Sequence, residues 1–324
     1  MPDPGKGHRL SIEQAITSYI AYHHRMGHEA KALEWHQIAL GQFRKYFQVE
    51  RHLLHVCQIT EADLRNWFVF LAQTPTKAGK HRAASTIETY ARSVRAFCCW
   101  LVQRGDLLCS PMGEEEFPRT SVPFPHLIQP ETFDRLVQAA FPQDAAPRAK
   151  KLAARDRALL WVLFDTGLSV SNVCALCVSD LDRKTGTLRV RGKGGKERQR
   201  VLGTTCLGYV LGALDQSCAM QGTRAMRKST GSDPLFCTER GRPLTKNSLA
   251  LLFRRLRTRA GIDEVSISPK IFRHSFALRY LQAGGNPQGL QELLAYEGTA
   301  PVRQYQRWYD QVLHDQMQKR TEEG

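Results

Sequence analysis

Three side chains late in the chain are of types that together do phosphoryl chemistry. Lys270 and Arg273 stand at i and i+3, so on a helix both cations leave one face. Tyr305 follows in a later segment. A phenol oxygen attacks a phosphodiester when fixed cations hold the charge that develops on the non-bridging oxygens. Taken singly, each has an ordinary reading. A tyrosine in a helix is usually packing, and a Lys-x-x-Arg pair is usually a solvated face. Order and spacing join them.

The elements that must carry these groups are legible. Pro269 suits the first turn of a helix, where its missing N–H needs no partner. Phe272, Phe276, Leu278 and Leu281 are available to bury that helix's other faces. Ala283-Gly284-Gly285-Asn286-Pro287 breaks it. A second apolar helix, Leu290 to Leu294, leads to Tyr296 and then Tyr305. Upstream, the apolar helical stretch Ala153 to Phe164 runs into Thr166-Gly167-Leu168-Ser169, with Asn172 and Leu176 beyond. Gly186 to Arg191 alternates as a strand, Gly192-Lys193-Gly194-Gly195-Lys196 reads as a turn, and Glu197 to Leu202 as a second strand. Thr245 to Ala260 reads as a helix with Leu249, Leu252, Phe253 and Leu256 inward and Arg254, Arg255, Arg257 and Arg259 around them. Pro234-Leu235-Phe236 reads as a short strand.

The first hundred residues read as a helical bundle. Capping boxes are expected at Ser11 and at Ser85-Thr86-Ile87-Glu88, and a further helix start at Thr60. The apolar stripe from Ile87 to Leu101 has the helical period. Pro and acidic residues concentrated between Cys109 and Pro125 read as a linker between two domains. Lys77, Lys80 and Arg82 form a basic loop that either contacts phosphates or is solvated surface.

Net charge is +15, which fits a polyanionic partner. No apolar run approaches a membrane span, and the polar start MPDPGKGHRL carries no signal-peptide core, so a cytoplasmic location is expected. Nine scattered cysteines do not form a disulfide framework. Cys174-x-x-Cys177, a single pair in an apolar pattern, reads as buried thiols rather than a metal site.

Thr166-Gly167-Leu168 with Leu176, the hairpin around Lys193, Lys270-x-x-Arg273, Leu293-Leu294-Ala295-Tyr296 and Tyr305 resemble the signature of the tyrosine recombinases, the phage-integrase and Xer-type family. The resemblance implies a mainly α fold. Residues 1–112 would form a SAM-like DNA-binding bundle, 113–126 a linker, and 127–324 a mainly helical catalytic domain with a small antiparallel sheet. It implies a site-specific DNA recombinase, acting in integration or in the movement of mobile elements, that cleaves and rejoins DNA through a 3′-phosphotyrosyl link to Tyr305. Arg273 and Lys270 would hold the phosphate. Lys193 would protonate the leaving 5′ oxygen or neutralise charge. Tyr296 stands where the family has its last His, Ser169 where it has its first catalytic Arg, and Asn172 where it has an acid. A neutral Asn beside the missing Arg avoids repelling the phosphate. Lys196, Arg198, Arg254 and Arg255 join Lys77, Lys80 and Arg82 as candidate DNA contacts. No metal or nucleotide cofactor is implied. The implied partners are double-stranded DNA and three further copies in a homotetramer on paired sites, with Val312, Leu313 and Met317 docking on a neighbour. The departures at 169 and 172 leave open a recombinase-like accessory protein that binds DNA with weak or no catalysis. A nuclease or topoisomerase using the same tyrosine chemistry is a third possibility.

A chain with this charge excess should bind duplex DNA with an affinity that falls steeply as salt rises, because bound Lys and Arg release counterions. Titrations at several salt concentrations check this. A flat dependence would exclude a broad phosphate footprint.

Overall fold

The computed structural model describes residues 10–322 except 77, 114–122, 142–146, 193–196, 222–232 and 264–266. Lys77, Lys193, Lys196 and most of the expected linker therefore lie outside the described residues, as does the side chain of Met317. The chain divides into two compact units, Met1–Pro123 and Phe124–Gly324.

The first unit contains α1 (Ile12–Arg25), α2 (Ala30–Lys45), α3 (Glu61–Gln73) and α4 (Ala84–Gln103). Ser11 and Gln14 close a capping box on α1, and Thr60 and Asp63 close one on α3. Each box satisfies N–H groups that have no partner inside the helix. The box expected at Ser85 does not form. Ala83, extended at ψ 143°, is the N-cap, and Thr86 N–H already donates to Ala83 O at 2.8 Å. Ser85 and Glu88 thus sit within the first turns, and Glu88 pairs with Arg92 instead. The apolar stripes meet in one core, where Tyr19, Phe43, Phe47, Trp67 and Phe97 are fully buried. Arg82 donates to Thr74 O at 2.9 Å and to Gln42 Oε1 at 3.2 Å. It therefore fixes the loop after α3, where a cation also suits the negative end of the helix.

The second unit runs α5 (Pro130–Ala139), α6 (Pro147–Thr166), α7 (Val170–Ala175), β1 (Leu181–Asp182), β2 (Thr187–Arg191), β3 (Glu197–Val201), α8 (Thr204–Gln221), α9 (Lys246–Arg259), α10 (Pro269–Gln282), α11 (Pro287–Leu294) and α12 (Ala300–Glu322). The strands form one antiparallel sheet in the order β1-β2-β3. This is the expected mainly α architecture with a small sheet. β1, at two residues, is too short to show a period. The segment at Pro234 makes only an isolated bridge to Cys177. Cys174 and Cys177 are half-buried free thiols. Among the described residues no helix is long and apolar enough to cross a membrane.

Two clusters share α10. Phe272 belongs to the larger core, with Leu159, Leu160 and Leu163 of α6 and Phe253 of α9. Ala277, Leu278 and Leu281 pack with Leu290 and Leu294 of α11 and with Val302, Tyr305 and Trp308 of α12. Arg255 does not stand free on α9. It reaches Asp156 of α6 at 2.6 Å, and Arg155 holds the same carboxylate. Burial nevertheless outweighs both arginines and raises the Asp156 pKa.

Two backbone positions bring the loops to the site. Gly167, at φ +60°, lies where a Cβ would stand 2.5 Å from Cδ1 of Phe276, so only glycine fits between α6 and α10. Ala295 ends α11 at φ +57°. Tyr296 N–H donates to Gln291 O and Ala295 N–H to Glu292 O, the pattern of a left-handed helix stop. A Cβ in that conformation is strained. Ala295→Gly should therefore raise unfolding free energy by about 0.5–1 kcal/mol, read as a higher urea midpoint for the transition of the second unit.

Candidate active site

The site assembles around Arg273 on α10. Its guanidinium meets three acceptors from two segments: Gly167 O at 3.2 Å, and, at the end of α11, Tyr296 Oη at 3.1 Å and Leu294 O. The guanidinium also lies 4.6 Å from the centroid of the Tyr296 ring. The helix end supplies unpaired carbonyls and negative potential, both of which suit a cation.

Tyr305 sits on α12 with only 2% of its surface exposed. Its hydroxyl is 2.8 Å from Nδ1 of His274 and 3.3 Å from the Tyr296 hydroxyl. Burial, with Lys270 and Arg273 adding to it, lowers the His274 pKa from 6.5 to about 4, so the ring is neutral at pH 7. With hydrogen on Nε2, Nδ1 accepts from Tyr305. Tyr296 then donates to the Tyr305 oxygen, and Arg273 Nε donates to Tyr296. Each hydroxyl in this chain both donates and accepts, so the bonds polarise one another. Burial foremost, and then Tyr296, hold the Tyr305 phenol well above its ordinary pKa. Trp308 closes the other side, 5.4 Å from the Tyr305 ring and 5.5 Å from the His274 ring.

The remaining candidates are placed less uniformly. Lys270 is exposed on the first turn of α10, and its charge reaches His274. Ser169 is the N-cap of α7. It accepts from Asn172 N–H at 3.2 Å and donates to Asn172 Oδ1 at 2.5 Å. The Asn172 amide donates to Arg191 O on β2 at 3.0 Å. The pair thus satisfies itself and ties α7 to the sheet. Lys80 and Arg254 are exposed. Arg198, Gln291, Tyr296 and Arg303 line an open groove of about 570 Å³.

Two residues of the site were not singled out from the sequence. His274 directly follows Arg273, and a lone His on an apolar helix carries no signal of its own. Arg200 of β3 is buried, and it donates to Glu292 O at 3.2 Å and to Leu293 O. Its signal lay in β3, where Glu197-Arg198-Gln199-Arg200-Val201 offers no apolar alternation for a strand beside a core.

Residues 128–311 match the profile of the Phage integrase family. The chain belongs to that family. Among curated phage integrase relatives, the tyrosine recombinase XerC of Xanthomonas axonopodis pv. citri (strain 306) is 28% identical over 298 residues, 82% of this chain and 91% of the relative. XerC of Mycobacterium leprae (strain TN) is 28% identical over 268 residues, 82% of this chain and 85% of the relative. The fold is shared with solved integrases at low identity. A lambda integrase dimer bound to a COC′ core site superposes with a TM-score of 0.65 at 16% identity, covering 92% of this chain and 78% of that one. XerH bound to its difH substrate before cleavage gives 0.60 at 20% identity, covering 84% and 75%.

The His274 environment sets a pH dependence. Because the folded pKa of about 4 lies below the ordinary 6.5, the unfolded chain binds a proton that the folded ring refuses. The stabilising contribution is complete above pH 6.5 and is lost as pH falls toward 4. The melting temperature of wild type relative to His274→Gln should therefore shrink across that window. A constant difference would show that the ring is not held neutral.

Proposed function

We propose that this phage integrase family protein is a site-specific DNA recombinase whose nucleophile is Tyr305. The observation that carries the reading is the Tyr305 hydroxyl, held between a neutral imidazole and a tyrosine that is itself bonded to Arg273. A nucleophile linked through hydrogen bonds to a fixed cation is a pattern that covalent phosphoryl transfer uses. The Tyr305 oxygen attacks the scissile phosphorus and the P–O5′ bond breaks, leaving a 3′-phosphotyrosyl link. The phenolic proton passes to solvent, and the 5′ oxygen takes a proton from Lys193, which lies between β2 and β3 in the sequence. A free 5′-hydroxyl of a partner strand reverses the step, so the bond energy is kept and no cofactor is consumed. Arg273 and Lys270 neutralise the charge that grows on the phosphate.

Burial of Tyr305 means that its hydroxyl must leave the His274–Tyr296 pocket to reach DNA. Cleavage therefore follows docking of the duplex. The N-terminal domain, residues 1–112, also binds the duplex, with Lys80 among its contacts. Arg198 and Arg254 bind phosphates from the second unit, and strand exchange uses a homotetramer on paired sites. The named relatives are tyrosine recombinases, and the XerH and lambda integrase structures hold DNA sites. A second reading, a DNA-binding accessory protein without catalysis, is favoured by one observation: Ser169 and Asn172 satisfy each other and present no guanidinium to a phosphate.

A nicked duplex built on the sequence the protein selects from a random pool separates these readings. Wild type should form a covalent adduct stable in detergent. Tyr305→Phe should abolish it, and Arg273→Ala should slow it by on the order of 10²-fold. Tight binding of wild type without adduct would establish the accessory reading.

A further inference from the structure

The register of β3 runs against hydrophobicity. Arg200 pairs directly with Leu188, which is fully buried, so both point to the core side of the sheet. Val201, next in the chain, is 73% exposed, whereas Arg200 is only 8% exposed. A strand that turns a valine outward and an arginine inward gives up apolar burial and desolvates a charge. Among the described residues no carboxylate pairs with Arg200 or with Arg273. Arg200 instead spends its donors on Gln199 O and on the carbonyls of Glu292 and Leu293, while Arg273 takes the next carbonyl, Leu294 O. Consecutive carbonyls of one helix end thus hold two guanidinium groups beside each other without neutralising either. The crowding registers at Arg200, where burial first, and then Arg198 and Arg273, lower the pKa to about 10, still fully protonated at pH 7. Its Nε–H is buried and has no partner. A buried N–H left unpaired costs free energy unless something arrives to accept it.

We propose that Arg200 is a catalytic residue of the strand-cleavage step, the second guanidinium on the scissile phosphate, standing in for the one that Ser169 does not supply. A phosphodiester brings a full negative charge and two non-bridging oxygens. The free Nε–H of Arg200 and the unspent N–H groups of Arg273 are the donors that match them. The strand pair that flanks Lys193 in sequence therefore also carries a phosphate ligand in β3. Ser169 and Asn172 keep a structural task, capping α7 and tying it to β2. The assignment rests on the recombinase reading above.

The test replaces one non-bridging oxygen at the scissile position by methyl, giving an uncharged methylphosphonate in an otherwise identical nicked duplex of the selected sequence. On the phosphodiester, Arg200→Gln should slow adduct formation by on the order of 10²–10³-fold and Arg200→Lys by about 10-fold. The methylphosphonate carries one negative charge fewer in both ground and transition state, so a single guanidinium suffices and the Arg200→Gln penalty should shrink to within about threefold. A fold-supporting role alone would penalise both substrates equally, and that result overturns the assignment. Should Arg200→Gln fail to fold, the charge-retaining Arg200→Lys makes the same comparison between the two duplexes. Fluorescence anisotropy supplies a readout that needs no cleavage. Wild type should bind the phosphodiester site more tightly than the methylphosphonate, and loss of Arg200 should erase most of that preference. A preference unchanged in the Arg200 variants overturns the assignment. Absence of wild-type adduct, with an Arg200-dependent preference intact, overturns the recombinase reading and leaves Arg200 as a phosphate ligand.

Discussion

A helix end buried in protein must find donors for its last carbonyls, and the end of α11 finds them in two arginines. The left-handed stop at Ala295 turns the backbone N–H groups of residues 295 and 296 back onto Gln291 and Glu292. That leaves Leu293 and Leu294 for side chains, and Arg200 and Arg273 reach them from β3 and α10. This one meeting point locks the sheet, the two helices and the Gly167 loop to each other. Rigid support of this kind is what a site needs if cationic groups are to be in place before a phosphate arrives, because donors that need not reorganise stabilise developing charge most effectively.

The proposed nucleophile is governed by the opposite constraint. Tyr305 is dry, neutral and engaged on both sides of its oxygen. A phenol in that condition has low reactivity toward water-borne electrophiles, and the His274 imidazole, its pKa lowered by burial, restrains it by accepting its hydrogen bond. The apolar hold of α12 on α10 and α11 consists of Val302, Tyr305 and Trp308.

Much of this was legible in the residues. The order of Thr166-Gly167-Leu168, the hairpin, Lys270-x-x-Arg273 and Tyr305 gave the family, and the helical periods gave the element order. Arg273, Tyr296 and Tyr305, chosen on the family resemblance, come together in space. His274 and Arg200 were not legible, because their roles arise from contacts with α12 and α11 that no local pattern encodes. Ser169 looked like a vacancy by comparison with the family. Its local chemistry is that of an N-cap, a role that serine fills well wherever a helix begins. The missing box at Ser85 has the same origin in reverse, since a cap signal yields when the preceding backbone already closes the turn.

The indole of Trp308, stacked edge-on against both Tyr305 and His274, gives the molecule an optical property. An imidazole and a phenol at van der Waals range alter the emission of a neighbouring tryptophan, and they do so only while they remain there. Departure of Tyr305 from its pocket is therefore coupled to the fluorescence of a residue three positions along the same helix. The other tryptophans, Trp35, Trp67, Trp100 and Trp161, lie elsewhere in the chain. A displacement of Tyr305 is thus readable in the protein's own light, without any attached dye.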